Sequence, residues 1–266
     1  MARQRKGEKI DGWVVLDKPV GLGSTPAVGK VRRLFGAQKA GHGGTLDPMA
    51  SGVLPIALGE ATKTVPFVMD GTKEYRFTLC FGEARSTEDV EGEVTATSDV
   101  RPADEAIRAV LPAFIGTIEQ TPPAFSALKI EGKRAYDLAR AGEAVDLKPR
   151  PVSIQHLELT ARPDAGHADF VVSCGKGTYI RSLGRDLALA LGTVGHLSAL
   201  RRTAAGPFRE QAAISLPKLE ALGHIPALLG ALAPVETALD DIPALALTEA
   251  QADRLRQGQP VLLTRD

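Results

Sequence analysis

The chain has 266 residues, 44% hydrophobic and 24% charged, which is ordinary globular usage, and its 27 Gly and 18 Pro follow no collagen-like period. At roughly 150 residues per domain the length predicts one to two domains with a substantial core, and the composition argues against a disordered chain. Lys plus Arg and Asp plus Glu both total 32, so the formal charge is zero and the total announces no polyanionic partner.

The distribution of charge says more than its sum. Residues 1–39 hold nine cations against three acids, and residues 220–266 hold seven acids against three cations. Such segregation permits a local phosphate-binding face, although charge clusters are more often solvated surface. The basic start is followed by too short an apolar run for a signal peptide, and no stretch reaches membrane-spanning length, so a cytoplasmic protein without membrane contact is expected.

Gly12 to Asp17 reads as a short buried strand ending at Lys18-Pro19 and the turn Gly21-Leu22-Gly23. A helix follows, with Thr25 as its cap and Pro26 at the first helical position. Ala27, Val28, Val31, Leu34 and Phe35 form its apolar face opposite Lys30, Arg32 and Arg33. Next comes Gly41-His42-Gly43-Gly44-Thr45-Leu46-Asp47-Pro48, in which glycines let the backbone approach a ligand and present Asp47 on a rigid support. Asp-Pro is also an ordinary helix start, and a lone loop histidine such as His42 is commonly structural, so the residues alone leave both meanings open.

From Tyr75 the period becomes two, with Tyr75, Phe77, Leu79 and Phe81 alternating with Arg76, Thr78 and Cys80. Gly92 to Ala96, Ser153 to Thr160 and Ala168 to Cys174 have strand composition, while Asp104 to Phe114 and Ile180 to Leu191 have helical spacing. The irregular order predicts an α+β fold with a mixed, mostly antiparallel sheet instead of a doubly wound one. Pro122-Pro123 stiffens the segment from Gln120 to Tyr136, where Lys129, Lys133 and Arg134 could track phosphates. Cys174-Gly175-Lys176-Gly177-Thr178 suggests a phosphate loop but fails on spacing, because Phe170 stands where the first glycine is needed and Gly177 follows the lysine. Arg181, in the first turn of a helix, opposes the macrodipole and gains little there without an anion nearby; a buried Asp partner would explain it, although an arginine at such a place is more often simply at the surface. The three tyrosines, Tyr75, Tyr136 and Tyr179, all fall in these segments and suit base stacking, although core packing alone would use them too. Cys80 and Cys174 supply no disulfide framework, and no metal-ligand spacing occurs. A Pro- and acid-containing linker around Pro234 to Pro243 leads to a possible strand, Ala244 to Thr248, and a helix, Glu249 to Gln257.

Taken in order, Asp17-Lys18-Pro19-Val20-Gly21, Gly41-His42 to Pro55, Lys73-Glu74-Tyr75-Arg76, Gln120 to Tyr136, Lys176 to Arg181 and Leu200-Arg201-Arg202 resemble the TruB family of tRNA pseudouridine synthases over residues 11–208. The resemblance implies a pseudouridine synthase fold, a mixed sheet flanked by helices with a central RNA-binding cleft. Residues 1–240 would form the catalytic domain and residues 241–266 the incomplete start of a PUA-like RNA-binding domain. It implies isomerisation of the uridine at position 55 in the TΨC arm of tRNA after base flipping, with no metal and no cofactor. A monomer without an obligate protein partner is expected. By the same resemblance Asp47 is the nucleophile and Arg181 its partner, a guanidinium that favours the charged carboxylate. His42 would touch the rearranged loop, Tyr75 would stack on the flipped base, and Tyr179 and Leu200 would line the uracil pocket. Lys18, Lys129, Lys133, Arg201 and Arg202 would contact the RNA backbone. Two rivals stay open: a guide-RNA-dependent relative acting on ribosomal RNA, and a non-catalytic RNA-binding protein.

Overall fold

The structure, a computed structural model, describes residues 7–126, 129–130, 133–134 and 147–262, the side chains of 129–130 and 133–134 excepted. Tyr136 lies outside the described residues.

Alternation in Lys73–Phe81 decides the middle of the sheet. Tyr75, Phe77, Leu79 and Phe81 are buried while Arg76 is exposed, so one face of this strand points into the core along its whole length. Gly195–Ala205 and His167–Cys174 flank it, both antiparallel to it. Across the sheet the order is Ile214–Ser215, Gly12–Lys18, Ser51–Leu58, Gly195–Ala205, Lys73–Phe81, His167–Cys174, Arg150–Asp164 and Gly116–Gln120. Ala40–His42 joins Ser51–Leu58, and Phe208–Arg209 joins Gly195–Ala205. Two pairings are parallel, Gly12–Lys18 with Ile214–Ser215 and Ser51–Leu58 with Gly195–Ala205. The other pairings are antiparallel, which is the mixed sheet that the irregular order of elements predicts.

Gly12–Lys18 is buried almost continuously because both its faces are covered. Val14 and Leu16 enter the main core, while Trp13 and Val15 enter a second cluster with Val53, Ala57 and Phe208. Fully burying each such aliphatic side chain is worth about 1.5–3 kcal/mol. The helix Ile180–Ala190 packs on the main core through Ile180, Leu183 and Leu187. Gly184 lets it come close: a Cβ there would lie 2.6 Å from Leu197 Cδ2.

Several local expectations are corrected. The first helix runs Ser24–Leu34, with Gly23 as its cap residue and no side-chain cap. Thr25 therefore lies inside the helix, and Ser24 is committed to another loop. Asp104–Val110 is α-helical, but Pro112 helps tighten the continuation Leu111–Phe114 into a 3-10 turn. Val94–Thr97 is an exposed strand in a separate ribbon with Glu83–Arg85. Ala244 to Thr248 makes no strand, having no neighbour to pair with among the described residues. The helix after it, Glu249–Arg256, is real and carries a capping box between Thr248 and Gln251. Between Arg85 and Gly92 the chain turns with Glu88 at φ 63°, a left-handed conformation that costs an L-residue with a side chain about 1–2 kcal/mol.

Candidate active site

The Gly43–Ala50 segment is not a helix start. Residues 45–47 have no regular structure, and a turn closes from the Ala50 N–H to the Asp47 carbonyl at 3.1 Å. Its shape comes from four side chains that reach it from elsewhere. Ser24 Oγ donates to the Leu46 carbonyl and accepts from the Leu46 N–H, each at 2.8 Å. Lys18 Nζ donates to the carbonyls of Pro19 at 3.0 Å, Leu22 at 2.7 Å and Pro48 at 3.4 Å. Arg202 donates to the carbonyls of Val53 at 2.7 Å, Thr45 at 3.2 Å and Gly44 at 3.1 Å. Arg181 Nε donates to Asp47 Oδ2 at 2.9 Å. Gly52, at φ 99°, closes the segment; a Cβ there would sit 2.2 Å from the Arg202 carbonyl oxygen.

Asp47 opens onto a pocket of about 550 Å³, within the range of ligand-sized sites. Tyr75, Leu200, Tyr179, Arg181 and Arg202 share its lining, so Asp47, Arg181, the residue expected to stack on a base and the two expected to line a uracil pocket converge on one cavity. The register explains part of this: Tyr75 lies opposite Arg202 on the adjoining strand, and Leu200 lies two residues before Arg202 on that strand. His42 is half-buried at the end of Ala40–His42, where its Nδ1 accepts from the Gly44 N–H at 3.3 Å. Burial, followed by the charge of Arg202, lowers its pKa and favours the neutral ring.

Arg181 is almost wholly buried and spends its guanidinium on four groups. Besides Asp47, it donates to the carbonyls of Thr87 and Phe125, both at 2.8 Å, and its Nε lies 3.6 Å from Asp89. The carboxylate that sequence reasoning sought as a buried partner is thus two carboxylates, a one-third exposed Asp47 and a buried Asp89. Among the described residues no hydrogen bond occupies Asp47 Oδ1. A carboxylate oriented by Arg181 with its other oxygen unengaged can act as nucleophile or base toward a group in the pocket.

Two expected RNA contacts are corrected. Lys18 is 0% and Arg202 1% exposed, so neither reaches a phosphate; Arg202 instead holds carbonyls of the Asp47 segment, and Lys18 ties the Pro19 and Leu22 carbonyls to that of Pro48. Burial holds Lys18 to about 8, with the charge of Asp47 opposing and that of Arg202 adding to the shift. Arg201 is one-third exposed and pairs with Asp17 at 2.9 Å and Glu210 at 3.1 Å. Lys129 and Lys133 lie on the paired short strands Lys129–Ile130 and Lys133–Arg134, and their side chains are outside the described residues.

Sequence reasoning missed further groups around the pocket. The Gln120 amide grips Tyr179 on both sides, accepting its N–H at 2.8 Å and donating to its carbonyl at 3.1 Å. Arg150 covers the Tyr179 ring at 5.3 Å and donates to the Gly177 carbonyl at 2.8 Å. Lys73 is buried, donates to the Met69 and Gly71 carbonyls, and is held to about 8 chiefly by burial. No local pattern marks these residues, since each acts across a long sequence separation or onto backbone.

Residues 32–180 match the family model for the TruB family pseudouridylate synthase N-terminal domain, and residues 181–240 match that for the tRNA pseudouridylate synthase B C-terminal domain. The tRNA pseudouridine synthase B of Bradyrhizobium diazoefficiens is 61% identical over 98% of this chain and 79% of its own length. That of Caulobacter sp. strain K31 is 58% identical over 99% of this chain and 85% of its own. Among solved structures, the crystal structure of a Cbf5-Nop10-Gar1 complex holds a chain similar at TM-score 0.74 and 31% identity, covering 93% of this chain and 67% of that one.

Proposed function

Because the chain belongs to the TruB family of pseudouridylate synthases, we propose that it isomerises the uridine at position 55 in the TΨC arm of tRNA to pseudouridine, with Asp47 as nucleophile. It is an isomerase with a pseudouridine synthase fold, and its substrate is tRNA. The observation that carries the mechanism is the Arg181–Asp47 pair at the wall of a pocket shared with Tyr75, Tyr179 and Leu200.

In the reaction the C1′–N1 bond breaks, the uracil rotates, a C1′–C5 bond forms, and C5 loses its proton while N1 gains one. Adding to C1′, adding to the base or removing a sugar proton each begins at a carboxylate oxygen, which Arg181 aims. The rearrangement is internal and redox-neutral, so it balances without an oxidant, a reductant or a second substrate. Extruding the base costs a few kcal/mol. Stacking on Tyr75, worth about 1–3 kcal/mol, offsets much of that.

His42 borders the loop segment beside Gly44, a position suited to contact with the displaced T-loop. Lys129, Lys133 and Arg201 are assigned to the RNA backbone. We take residues 1–240 as the catalytic unit and residues 241–266 as the start of a PUA-like RNA-binding domain. A monomer acting in the cytoplasm without an obligate protein partner completes the reading. Among the described residues no helix is long and apolar enough to cross a membrane.

A guide-dependent enzyme is the less favoured alternative, because the relatives named for tRNA are 58–61% identical and the Cbf5 chain is 31% identical. The deciding experiment maps pseudouridine in an unmodified tRNA transcript treated with the purified protein and no guide RNA. Conversion at position 55 is expected, and an unconverted transcript overturns the proposal.

A further inference from the structure

Among the described residues Glu88 is the one non-glycine residue with positive φ. A glycine would adopt that conformation freely, so its side chain must supply something glycine lacks. Both its neighbours serve Arg181: the Thr87 carbonyl accepts from it at 2.8 Å, and the Asp89 carboxylate lies 3.6 Å from its Nε. The Glu88 side chain, 15% exposed, reaches the same helix one step further along. Ser182 Oγ donates to its Oε2 at 3.2 Å and Arg185 donates to its Oε1. From the other side the Leu197 N–H donates to the Glu88 carbonyl at 3.0 Å. Arg181 and Arg185, one helical turn apart, each also hold the segment after Gly116–Gln120, through the carbonyls of Phe125 and Thr121.

We propose that Glu88 is a positioning residue for the isomerisation: its carboxylate grips Ser182 and Arg185 and so seats Thr87 and Asp89 against Arg181, which in turn aims Asp47. This rests on the role given to Asp47 above. The left-handed turn follows from the grip, because it points the side chain at the helix while its two neighbours face Arg181. Were the ion pair only a local tether with no bearing on Arg181, glycine would lose it but shed the conformational strain, with little net change in either stability or turnover.

The test compares the wild-type protein with Glu88→Gly, Glu88→Gln and the double variant Ser182→Ala/Arg185→Met. It measures single-turnover pseudouridine formation at saturating enzyme, tRNA Kd and thermal unfolding. Glu88→Gly is expected to slow the chemical step about 10- to 100-fold, the size of loss that follows from misaimed catalytic groups, with Kd changed less than about 3-fold. Glu88→Gln, which keeps polar atoms at both contacts, should recover most of that loss, and the double variant should reproduce it. A folded Glu88→Gly protein with the wild-type rate constant overturns the proposal, as does a rate loss that merely tracks lowered melting temperature in every variant. If Glu88→Gly does not fold, a wild-type rate in the double variant overturns it equally. A wild-type protein that forms no pseudouridine would instead sink the function itself, whereas an active wild type matched by Glu88→Gly would sink only this role.

Discussion

Arg181 meets Asp47 across 134 residues of chain, donating from Nε to Oδ2 at 2.9 Å while the rest of its guanidinium is tied to the Thr87 and Phe125 carbonyls. The cation is therefore fixed by backbone carbonyls as well as by the carboxylate, and Asp47 is aimed at a rigid partner.

Asp47→Asn keeps an acceptor oxygen for Arg181 but removes the charge. Pseudouridine formation should fall at least about 10³-fold, since nucleophile and partner act as a unit, while tRNA affinity stays within a few-fold. Parallel single-turnover and filter-binding measurements check this, and retained turnover would take Asp47 out of the reaction.

Tyr75 presents a ring to the pocket, and burial raises its phenol pKa, so the hydroxyl stays protonated. Tyr75→Phe should therefore be mild, and Tyr75→Leu should lose about 1–3 kcal/mol of stacking, roughly 5- to 150-fold in kcat/KM. Equal losses in the two variants would assign the effect to the hydroxyl.

Lys18→Met removes the ammonium that ties the Pro19 and Leu22 carbonyls of the neighbouring turn to the Pro48 carbonyl beside Asp47. A loss of about 1–3 kcal/mol in stability is expected, with slower turnover. The slope of log Kd for tRNA against log salt should be unchanged, because a fully buried ammonium neutralises no phosphate. Titrating tRNA binding over a range of salt distinguishes this from a phosphate contact, whose removal would flatten the slope.

Lys73 is held to about 8 against its usual 10.5, chiefly by burial and then by the charge of Arg202. Between those pH values the unfolded chain binds more protons at this site than the folded one, so the residue's contribution to stability rises as pH climbs from about 8 to about 10.5. Cys174 runs the other way: burial raises its thiol to about 11, and its contribution falls between its ordinary value of 9.0 and that pH. Subtracting the Lys73→Met stability profile from that of wild type, by urea unfolding at intervals from pH 7 to 10.5, should leave a positive slope. A flat difference would show that the ammonium is not paying a burial cost.

Much of the site was legible because its chemistry is written in local pattern. The glycine-rich approach to Asp47, the period-two strand carrying Tyr75 and the helix start at Arg181 all stand out along the chain. What escaped were side chains whose type argues for one environment while the fold gives them another. Lys18 and Arg202 read as surface cations, since charged residues are seldom fully buried unless their polar atoms are satisfied, and here backbone carbonyls satisfy them. The Gln120 grip on Tyr179 spans 59 residues and leaves no trace in either segment. The strain at Glu88 was invisible because left-handed backbone is ordinarily signalled by Gly, Asn or Asp.

Arg202 is buried, and it donates to the carbonyls of Val53, Thr45 and Gly44 beneath the Asp47 segment. It works as a buried electrode under the floor of the cleft, and its field reaches Lys18, His42, Lys73 and Tyr75 alike, disfavouring further protons on each. The same standing potential greets whatever negative charge a departing uracil gathers above it.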